Sequence, residues 1–288
     1  MKKGKEESKK KTETKKKTET EKKKLSFDKS TYFMILLILL IVLLLLLAFN
    51  KNESTSFKIQ NKMKEIAESQ KLDTDNYKTA GWIRVEGTNI DHPIIIAKNG
   101  SYEESINQKT YAWMNGNETK YTDNLTIAGH NYLNLSSTPK KSSEAFERFE
   151  SLLAFVYYDF AKENQFIQLT LNNNDYLYQV FAVSFMYNAD YYLLPKGNTD
   201  KENQQKYLDF VKSVSIYDYD IKVDSSDKFI NVATCTRMFG DDGRTNFVVS
   251  AKLVPNNKKT KSKVTKTKEY DVVNKKLMGG GKNEVEEG

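Results

Sequence analysis

The sequence predicts a mainly β domain with inserted helices, tethered to a membrane by one transmembrane helix. Three observations support this fold class. An uncharged run of eighteen residues covers 32–49, seven short stretches beyond residue 80 are rich in β-branched and aromatic residues, and two amphipathic patterns of helical period interrupt those stretches. We expect the strands to form a closed barrel, because closure removes exposed strand edges.

The apolar run Tyr32 to Phe49 predicts a membrane anchor. As a helix it would span about 27 Å, close to the hydrocarbon core of about 30 Å. A cleavable signal peptide is the competing interpretation, but the basic segment before the run is unusually long and no small-x-small site follows it closely. Because the lysine excess precedes the run, we expect the N-terminus in the cytoplasm and everything after Asn50 outside the cell membrane.

The positive charge of the chain is concentrated at its two ends. Residues 1–30 hold 13 lysines against 6 acids, residues 256–288 hold 9 against 5, and 31–255 is left with a net charge of about −4. This distribution does not resemble a nucleic-acid-binding face, so we expect no nucleic-acid partner. The predicted organisation is a basic cytoplasmic tail (1–31), an anchor (32–49), one extracellular domain (50–255) and a charged flexible tail (256–288).

Within the extracellular domain, helices and strands are predicted in a definite order. A leading helix is expected over 54–72 and two further helices over Ser143–Phe155 and Thr199–Val214, the last capped by Thr199 or Asp200. The run 172–175, Asn-Asn-Asn-Asp, predicts a hairpin turn. The predicted strands cover 82–90, 92–96, 125–129, 166–171, 176–186, 229–234 and 247–254.

Cys235 is the only cysteine of the chain and ends the strand pattern that begins at residue 229. A lone cysteine outside the cell is either an inert buried residue or a reactive group kept for its chemistry. A thiol of ordinary pKa, about 8.5, is only a few per cent thiolate at neutral pH and needs an acid–base companion. The choice between the two interpretations therefore depends on its partners.

Only two histidines can serve as that companion. His92 lies between an aspartate and a proline, a context typical of a strand entry or turn. His130 follows a strand pattern and Gly129, where the chain can turn and present an imidazole at the rim of a barrel. A histidine after a glycine is more often structural, but the scarcity of histidine favours His130 as the acid–base group.

Arginine is rare: four of the 45 basic residues are arginine, and two of these, Arg237 and Arg244, lie within nine positions of Cys235. A guanidinium offers a fixed charge and a planar fork of donors, which suits an oxyanion or a substrate carbonyl. The turn-forming residues 240–243 would fold the following strand back, setting Arg244 beside Cys235. Arg237 would be a solvated loop charge, and an ion pair between Arg244 and the neighbouring aspartates remains the alternative.

These residues also resemble a known family. TIAGHN (126–131), NVATCTR (231–237) and GRTNFVVSAKLV (243–254) are similar, in the same order, to the histidine, cysteine and arginine motifs of the sortases. GWIRVEGTNIDHPIII (81–96) resembles the opening of the class B barrel, so the chain is most similar to the class B cysteine transpeptidases. One departure is Asn231-Val232, where the family more commonly has threonine and leucine.

The resemblance implies an eight-stranded sortase-type barrel with an N-terminal helix. It implies that Cys235 attacks the carbonyl after the threonine of a C-terminal sorting signal and forms a thioacyl intermediate. His130 would act as acid and base, and Arg244 would hold the oxyanion. The expected partners are surface proteins that carry the sorting signal and an amine of the peptidoglycan precursor. The residues expected to contact substrate are Thr234, Asn131, Ile94 and Ile96.

Two other functions remain open from the sequence. One is a pilin-type protein–protein ligase or a hydrolase of the same fold, and the other is a surface scaffold without catalysis. The sequence shows neither metal-ligand spacing nor a glycine-rich phosphate loop after a strand, so we expect no metal and no obligatory cofactor.

Overall fold

The chain divides into two compact units, Met1–Lys58 and Ile59–Gly288. The predicted leading helix over 54–72 lies outside the described residues. The computed structural model of the protein describes residues 28–46, 77–98, 112–114, 122–141, 146, 149–172, 174–187, 190, 194, 197–240 and 245–279.

In the first unit, helix α1 (Lys29–Leu46) has eighteen residues and a mean hydropathy of 2.6, and none of its residues is buried. Its start is capped by Asp28, whose carboxylate accepts hydrogen bonds from the backbone N–H (2.7 Å) and the hydroxyl (2.6 Å) of Thr31. Its length and composition are sufficient for a membrane crossing. Residues 47–49 of the predicted anchor lie outside the described part of the chain.

The second unit consists of short strands with helices between them. Its described helices are the 3-10 helix η1 (Phe149–Val156), α2 (Tyr158–Glu163), α3 (Lys201–Ser213), the 3-10 turn η2 (Pro255–Asn257) and α4 (Lys268–Gly279). Its described strands are β1 (Tyr77–Val85), β2 (Asp91–Ala97), β3 (Ala112–Met114), β4 (Asn124–Ala128), β5 (Phe166–Leu171), β6 (Asn174–Tyr187), β7 (Tyr217–Tyr219), β8 (Phe229–Thr236), β9 (Thr245–Leu253) and β10 (Val264–Lys266).

Eight of these described strands close into a barrel with the order β1-β2-β3-β4-β8-β9-β6-β5, in which β5 pairs with β1. The pairs β2–β3 and β4–β8 are parallel and the others antiparallel. Among the described barrel strands, β3 has the shortest pairing, with two paired positions to each neighbour. The predicted mainly β barrel is therefore confirmed.

Side-chain alternation along the strands divides the apolar residues into two clusters. Val232 and Val249 belong to the cluster that includes the barrel interior and η1. Their sequence neighbours Ala233 and Val248 belong to the second cluster, together with residues of α3 such as Leu208. Helix α3 therefore covers the outer face of β8 and β9, the face opposite the barrel interior.

The predicted helix over Thr199–Val214 is confirmed as α3. Asp200 is its N-cap, accepting a hydrogen bond from the backbone N–H of Asn203 at 3.0 Å, and this bond lowers the pKa of Asp200. The hairpin predicted at 172–175 is also present between β5 and β6, with Asn172 at φ 51°, but Asn174 and Asp175 already belong to β6, where they pair with Leu171 and Thr170.

The helix predicted over Ser143–Phe155 differs from the structure. The described residues form the 3-10 helix η1 from Phe149, and 142–145 and 147–148 lie outside the described part. All eight residues of η1 are buried, including Glu150 and Ser151. Because all residues of η1 are buried, the apolar residues that the sequence places on one helix face do not determine whether the segment forms an α-helix or a 3-10 helix.

The prediction of a flexible tail from residue 256 is wrong for residues 256–279. Strand β10 pairs antiparallel with β7, and the hydroxyl of Tyr158 donates to the carbonyl of Val264 at 2.9 Å. Helix α4 buries Tyr270 and Val273, which are 8% and 3% exposed. Backbone hydrogen bonds from β7 order β10, so this segment folds with few apolar residues of its own. Its average composition therefore does not reveal its fold. We call residues 255–279 the C-terminal extension.

Candidate active site

The parallel pair β4–β8 brings together two chain segments that each carry a predicted catalytic residue. The last registered positions are Ala128 and Ala233, and the pairing continues for one bond, from the N–H of Gly129 to the carbonyl of Ala233 at 3.1 Å. His130 and Cys235 each follow their registered alanine by two residues. The structure therefore places both at the same edge of the barrel.

Cys235 is half-buried at the end of β8, where it lies opposite Asn246 of β9. It follows Ala233 by two positions, so strand alternation turns its side chain toward the outer face that α3 also covers. The thiol donates to the carbonyl of Asn131 at 3.7 Å. Cys235 is thus a partly accessible thiol in contact with the residue after His130.

The turn that carries His130 is fixed to β8 by side chains as well as by backbone. The hydroxyl of Thr234, which is 2% exposed, donates to the carbonyl of Gly129 at 2.6 Å. On the other side of His130, the amide nitrogen of Asn131 donates to the carbonyl of Cys235 at 3.0 Å. The loop is thus joined to β8 immediately before and immediately after the histidine.

Two buried asparagines, Asn131 and Asn134, connect this loop to η1. The side-chain oxygen of Asn131 accepts from the N–H of Asn134 at 3.0 Å, and its amide nitrogen also donates to the carbonyl of Asn134 at 3.0 Å. Asn134 in turn donates to the carbonyl of Glu150 in η1 at 2.9 Å. Neither Asn134 nor Glu150 was predicted from the sequence, where an Asn-x-x-Asn spacing is the only local signal.

His130 is half-buried, and its ring lies 5.2 Å from the ring of Tyr132. Tyr132 and Leu133 are 52% and 58% exposed, so two large apolar side chains reach solvent beside the imidazole. The N–H of Tyr132 donates to the carboxylate of Glu150 at 3.3 Å. An apolar surface next to an imidazole suits a peptide substrate better than a small ion.

Arg244 lies outside the described residues, so its place beside Cys235 stays a prediction. The antiparallel return that the prediction depends on is present: β9 begins at Thr245, which pairs with Thr236 of β8. Arg237 is exposed, as expected for a loop charge.

The four residues expected to contact substrate are all buried. Ile94 and Ile96 of β2 are 0% and 5% exposed and belong to the cluster of the barrel interior, so the expectation that they line a substrate groove finds no support in this arrangement. Asn131 and Thr234 are each 2% exposed and form hydrogen bonds within the protein.

His92 packs against Phe149 at 6.5 Å between ring centroids, which fits its structural interpretation.

The departure at Asn231 has a structural reason. Its side-chain oxygen accepts from the hydroxyls of Tyr207 on α3 (2.6 Å) and Ser250 on β9 (2.7 Å). Burial raises the pKa of Tyr207 to about 12, so its hydroxyl stays protonated and donates at physiological pH. Asn231 therefore joins α3 to the strand that ends in Cys235.

The described part of the site holds a thiol and an imidazole at one edge of the barrel, a combination suited to nucleophilic acyl transfer. Within the described ranges, no group of three or more His, Cys, Asp and Glu side chains is arranged to hold a metal ion.

Comparison with known proteins agrees with this geometry. The model of the sortase domain family matches residues 83–254, more than half of the chain. The chain is similar to Sortase B of Listeria monocytogenes, with 27% identity over 199 residues that cover 66% of this chain and 74% of that protein. The C-terminal extension lies beyond the segment that the family model matches.

Solved structures show the same fold. A sortase B from Clostridium perfringens has a TM-score of 0.52 at 22% identity, covering 68% of this chain and 99% of that chain. A sortase B complexed with triglycine has a TM-score of 0.51 at 18% identity, covering 72% and 97%. At these identities the likeness concerns the fold alone.

Proposed function

Because this chain belongs to the sortase family and is a cysteine transpeptidase of its class B branch, we propose that it attaches surface proteins to the cell wall from a membrane anchor. The observation that carries the proposal is the parallel pairing of β4 with β8, which sets Cys235 and His130 at one edge of the barrel. The substrate would be a protein with a C-terminal sorting signal.

In the first half-reaction, His130 takes the proton of the Cys235 thiol, and the thiolate attacks the carbonyl carbon of the threonine in the signal. The C–N bond breaks, His130 gives a proton to the leaving amine, and the acyl part remains on Cys235 as a thioester. Arg244 stabilises the oxyanion of the tetrahedral intermediate, a contribution worth about 3 to 4 kcal/mol for one well-placed donor.

In the second half-reaction, an amine of the peptidoglycan precursor attacks the thioester. His130 takes the proton that this amine loses, an amide bond forms, and Cys235 is released as its thiolate. The same imidazole thus serves as acid and then as base. Its support on both sides by bonds to β8 favours this double role, because both proton transfers need the same geometry.

The anchor gives this chemistry its location. The segment 32–49, of which α1 contains the first part, would cross the cell membrane once, with the basic residues 1–31 in the cytoplasm and the catalytic domain outside. Holding the enzyme on the outer surface raises its effective concentration toward substrates that arrive at the same surface.

The peptide would lie on the outer face of the barrel, beside the exposed Tyr132 and Leu133 and near α3. The region around 94–97 and the insert 187–222 would shape this groove from its two sides. Because Ile94 and Ile96 are buried here, we propose that β2 contributes through its backbone, and that substrate discrimination comes mainly from the insert.

The test uses the full chain in detergent micelles, a library of sorting-signal peptides and triglycine as the amine, with products identified by mass spectrometry. Triglycine is chosen because a sortase B of the same fold is known in complex with it. We expect one peptide motif to give an amide product with triglycine, and Cys235→Ala to give none. If the peptide is hydrolysed and adding an amine does not change the product, the result would support the hydrolase instead. Labelling of Cys235 no faster than a buried thiol would support the scaffold.

A further inference from the structure

Three hydrogen bonds join the histidine loop to β8, in addition to the bond from the Cys235 thiol to the carbonyl of Asn131. Two of them reach Gly129, the residue before His130: its N–H donates to Ala233 and its carbonyl accepts from Thr234. The third reaches the residue after His130, because the amide of Asn131 donates to the carbonyl of Cys235 at 3.0 Å. Among the described hydrogen bonds, this is the one that joins the nucleophile's own peptide group to the far side of the histidine.

The side chain of Asn131 is fully engaged inside the protein. Its nitrogen donates to the carbonyls of Cys235 and Asn134, and its oxygen accepts from the N–H of Asn134, each at 3.0 Å. An amide group with both hydrogens and its oxygen used in this way is fixed in orientation. At 2% exposure it offers little surface to a substrate.

Asn134 gives the pair a rigid base. Its nitrogen donates to the carbonyls of Lys140 (3.2 Å) and Glu150 (2.9 Å), and its oxygen accepts from the N–H of Lys140 at 2.8 Å. Glu150 belongs to η1, all of whose residues are buried. The chain of contacts therefore runs from the packed interior through Asn134 and Asn131 to the backbone of Cys235.

We propose that Asn131 and Asn134 act together as positioning residues, which hold His130 at the separation from Cys235 that proton transfer requires. General acid–base catalysis needs heavy atoms within about 2.6–3.2 Å, directly or through one water. A misplacement of about 1 Å can lower a rate about 100-fold. The inference deepens the proposed acyl transfer and rests on it, and it replaces the expectation that Asn131 contacts substrate.

The test compares Asn131→Ala, Asn134→Ala and the double variant in the full chain, with Asn124→Ala as matched control. Asn124 is as deeply buried, at 1% exposure, and its amide donates to Gly197 and Gln204 at the opposite end of β4. We expect kcat for peptide transfer to fall at least about tenfold in either single variant, with KM for the peptide within about twofold of the parent value. The double variant loses no more than the more damaged single variant, since the pair works as one unit.

A raised KM with unchanged kcat in Asn131→Ala would overturn the proposal and restore a substrate-contact role. An equal loss of kcat in Asn124→Ala, compared at equal folded fraction, would reduce the effect to general destabilisation. Asn134→Ala keeps the test valid if Asn131→Ala does not fold, because Asn134 has no contact with Cys235 among the described hydrogen bonds.

A second measurement separates this inference from the proposed function. Iodoacetamide modifies the thiolate of Cys235 without any peptide, so its rate at neutral pH reports the base beside the thiol. If no peptide is transferred by the parent chain, the proposed function fails, and the alkylation rates still decide the role of the pair. At least about threefold slower alkylation in Asn131→Ala than in the parent supports positioning, and equal rates contradict it.

Discussion

Cys235 and His130 owe their proximity to long-range pairing, since the hydrogen bond from Thr234 to Gly129 joins residues 105 positions apart. Neither residue depends on a loop end alone, because backbone and side-chain bonds fix both to β8. At the residue scale, the fold itself therefore fixes the positions of Cys235 and of the histidine loop.

The arginine is the residue whose role most needs a direct test. We expect Arg244→Ala to lower kcat for peptide transfer about 100-fold, because an oxyanion donor acts on the transition state. Arg237→Ala, the matched control, removes an exposed arginine from the same stretch of chain and keeps kcat within about threefold of the parent value. Steady-state kinetics and a thermal melt of the full chain in detergent measure both effects.

The melting temperature of Arg237→Ala should equal that of the parent because Arg237 is exposed, and a purely catalytic role predicts the same for Arg244→Ala. Equal kcat values for the two variants would remove Arg244 from the mechanism. A loss of kcat that follows a lower melting temperature would make its role structural.

The candidate catalytic side chains could be proposed from the sequence because their types are rare in this chain: one cysteine, two histidines and four arginines leave few combinations. The supporting residues could not. Asn134 and Glu150 act through backbone carbonyls and through contacts between loops, and asparagine and glutamate are common polar residues whose burial no local pattern reveals.

At the scale of elements, the C-terminal extension shows where sequence patterns fail. The strands of the barrel and α3 were predictable because alternation, helical period and an N-cap agreed with one another. Strand β10 has three residues and α4 has two buried ones, so composition suggested disorder. The partners that order them, β7 and α2, lie far away in sequence.

The C-terminal extension also forms a cluster of cation–π and aromatic contacts. Lys266 lies over the rings of Tyr158 (4.8 Å) and Tyr270 (4.4 Å), and Tyr270 packs at 5.6 Å from Tyr217. The hydroxyl of Tyr217 donates to the carbonyl of Val156 in η1 at 2.5 Å. The extension is thus connected, through Tyr217 of β7, to the same 3-10 helix that supports the asparagine pair.

We expect Tyr270→Ala to destabilise the extension by about 3 kcal/mol, the usual cost of emptying a buried aromatic site. Val272→Ala, on the exposed side of α4 at 54% exposure, should change stability by less than about 0.5 kcal/mol. Hydrogen exchange of the full chain reads the effect locally, as faster exchange in α4, β10 and η1 of Tyr270→Ala. Equal exchange in both variants would mean that α4 does not depend on its buried face.

At the scale of the whole molecule, a small number of proposed catalytic side chains is positioned by a large, well-packed barrel. The chain forms a barrel whose interior and α3-covered outer face are both apolar, without a disulfide, since its lone cysteine is free. The family and the barrel followed from the sequence motifs, whereas the order of the extension depended on contacts that only the structure shows.

The proposed mechanism requires that Cys235 carry the acyl group between the two substrates. The decisive measurement is the mass of the full chain after acid quenching, with a cleavable sorting peptide present and no amine added. We expect a mass gain equal to the peptide up to its threonine, located on the fragment that contains Cys235 and missing in Cys235→Ala. Peptide cleavage that proceeds without this adduct, or with the acyl group on another residue, would contradict the mechanism.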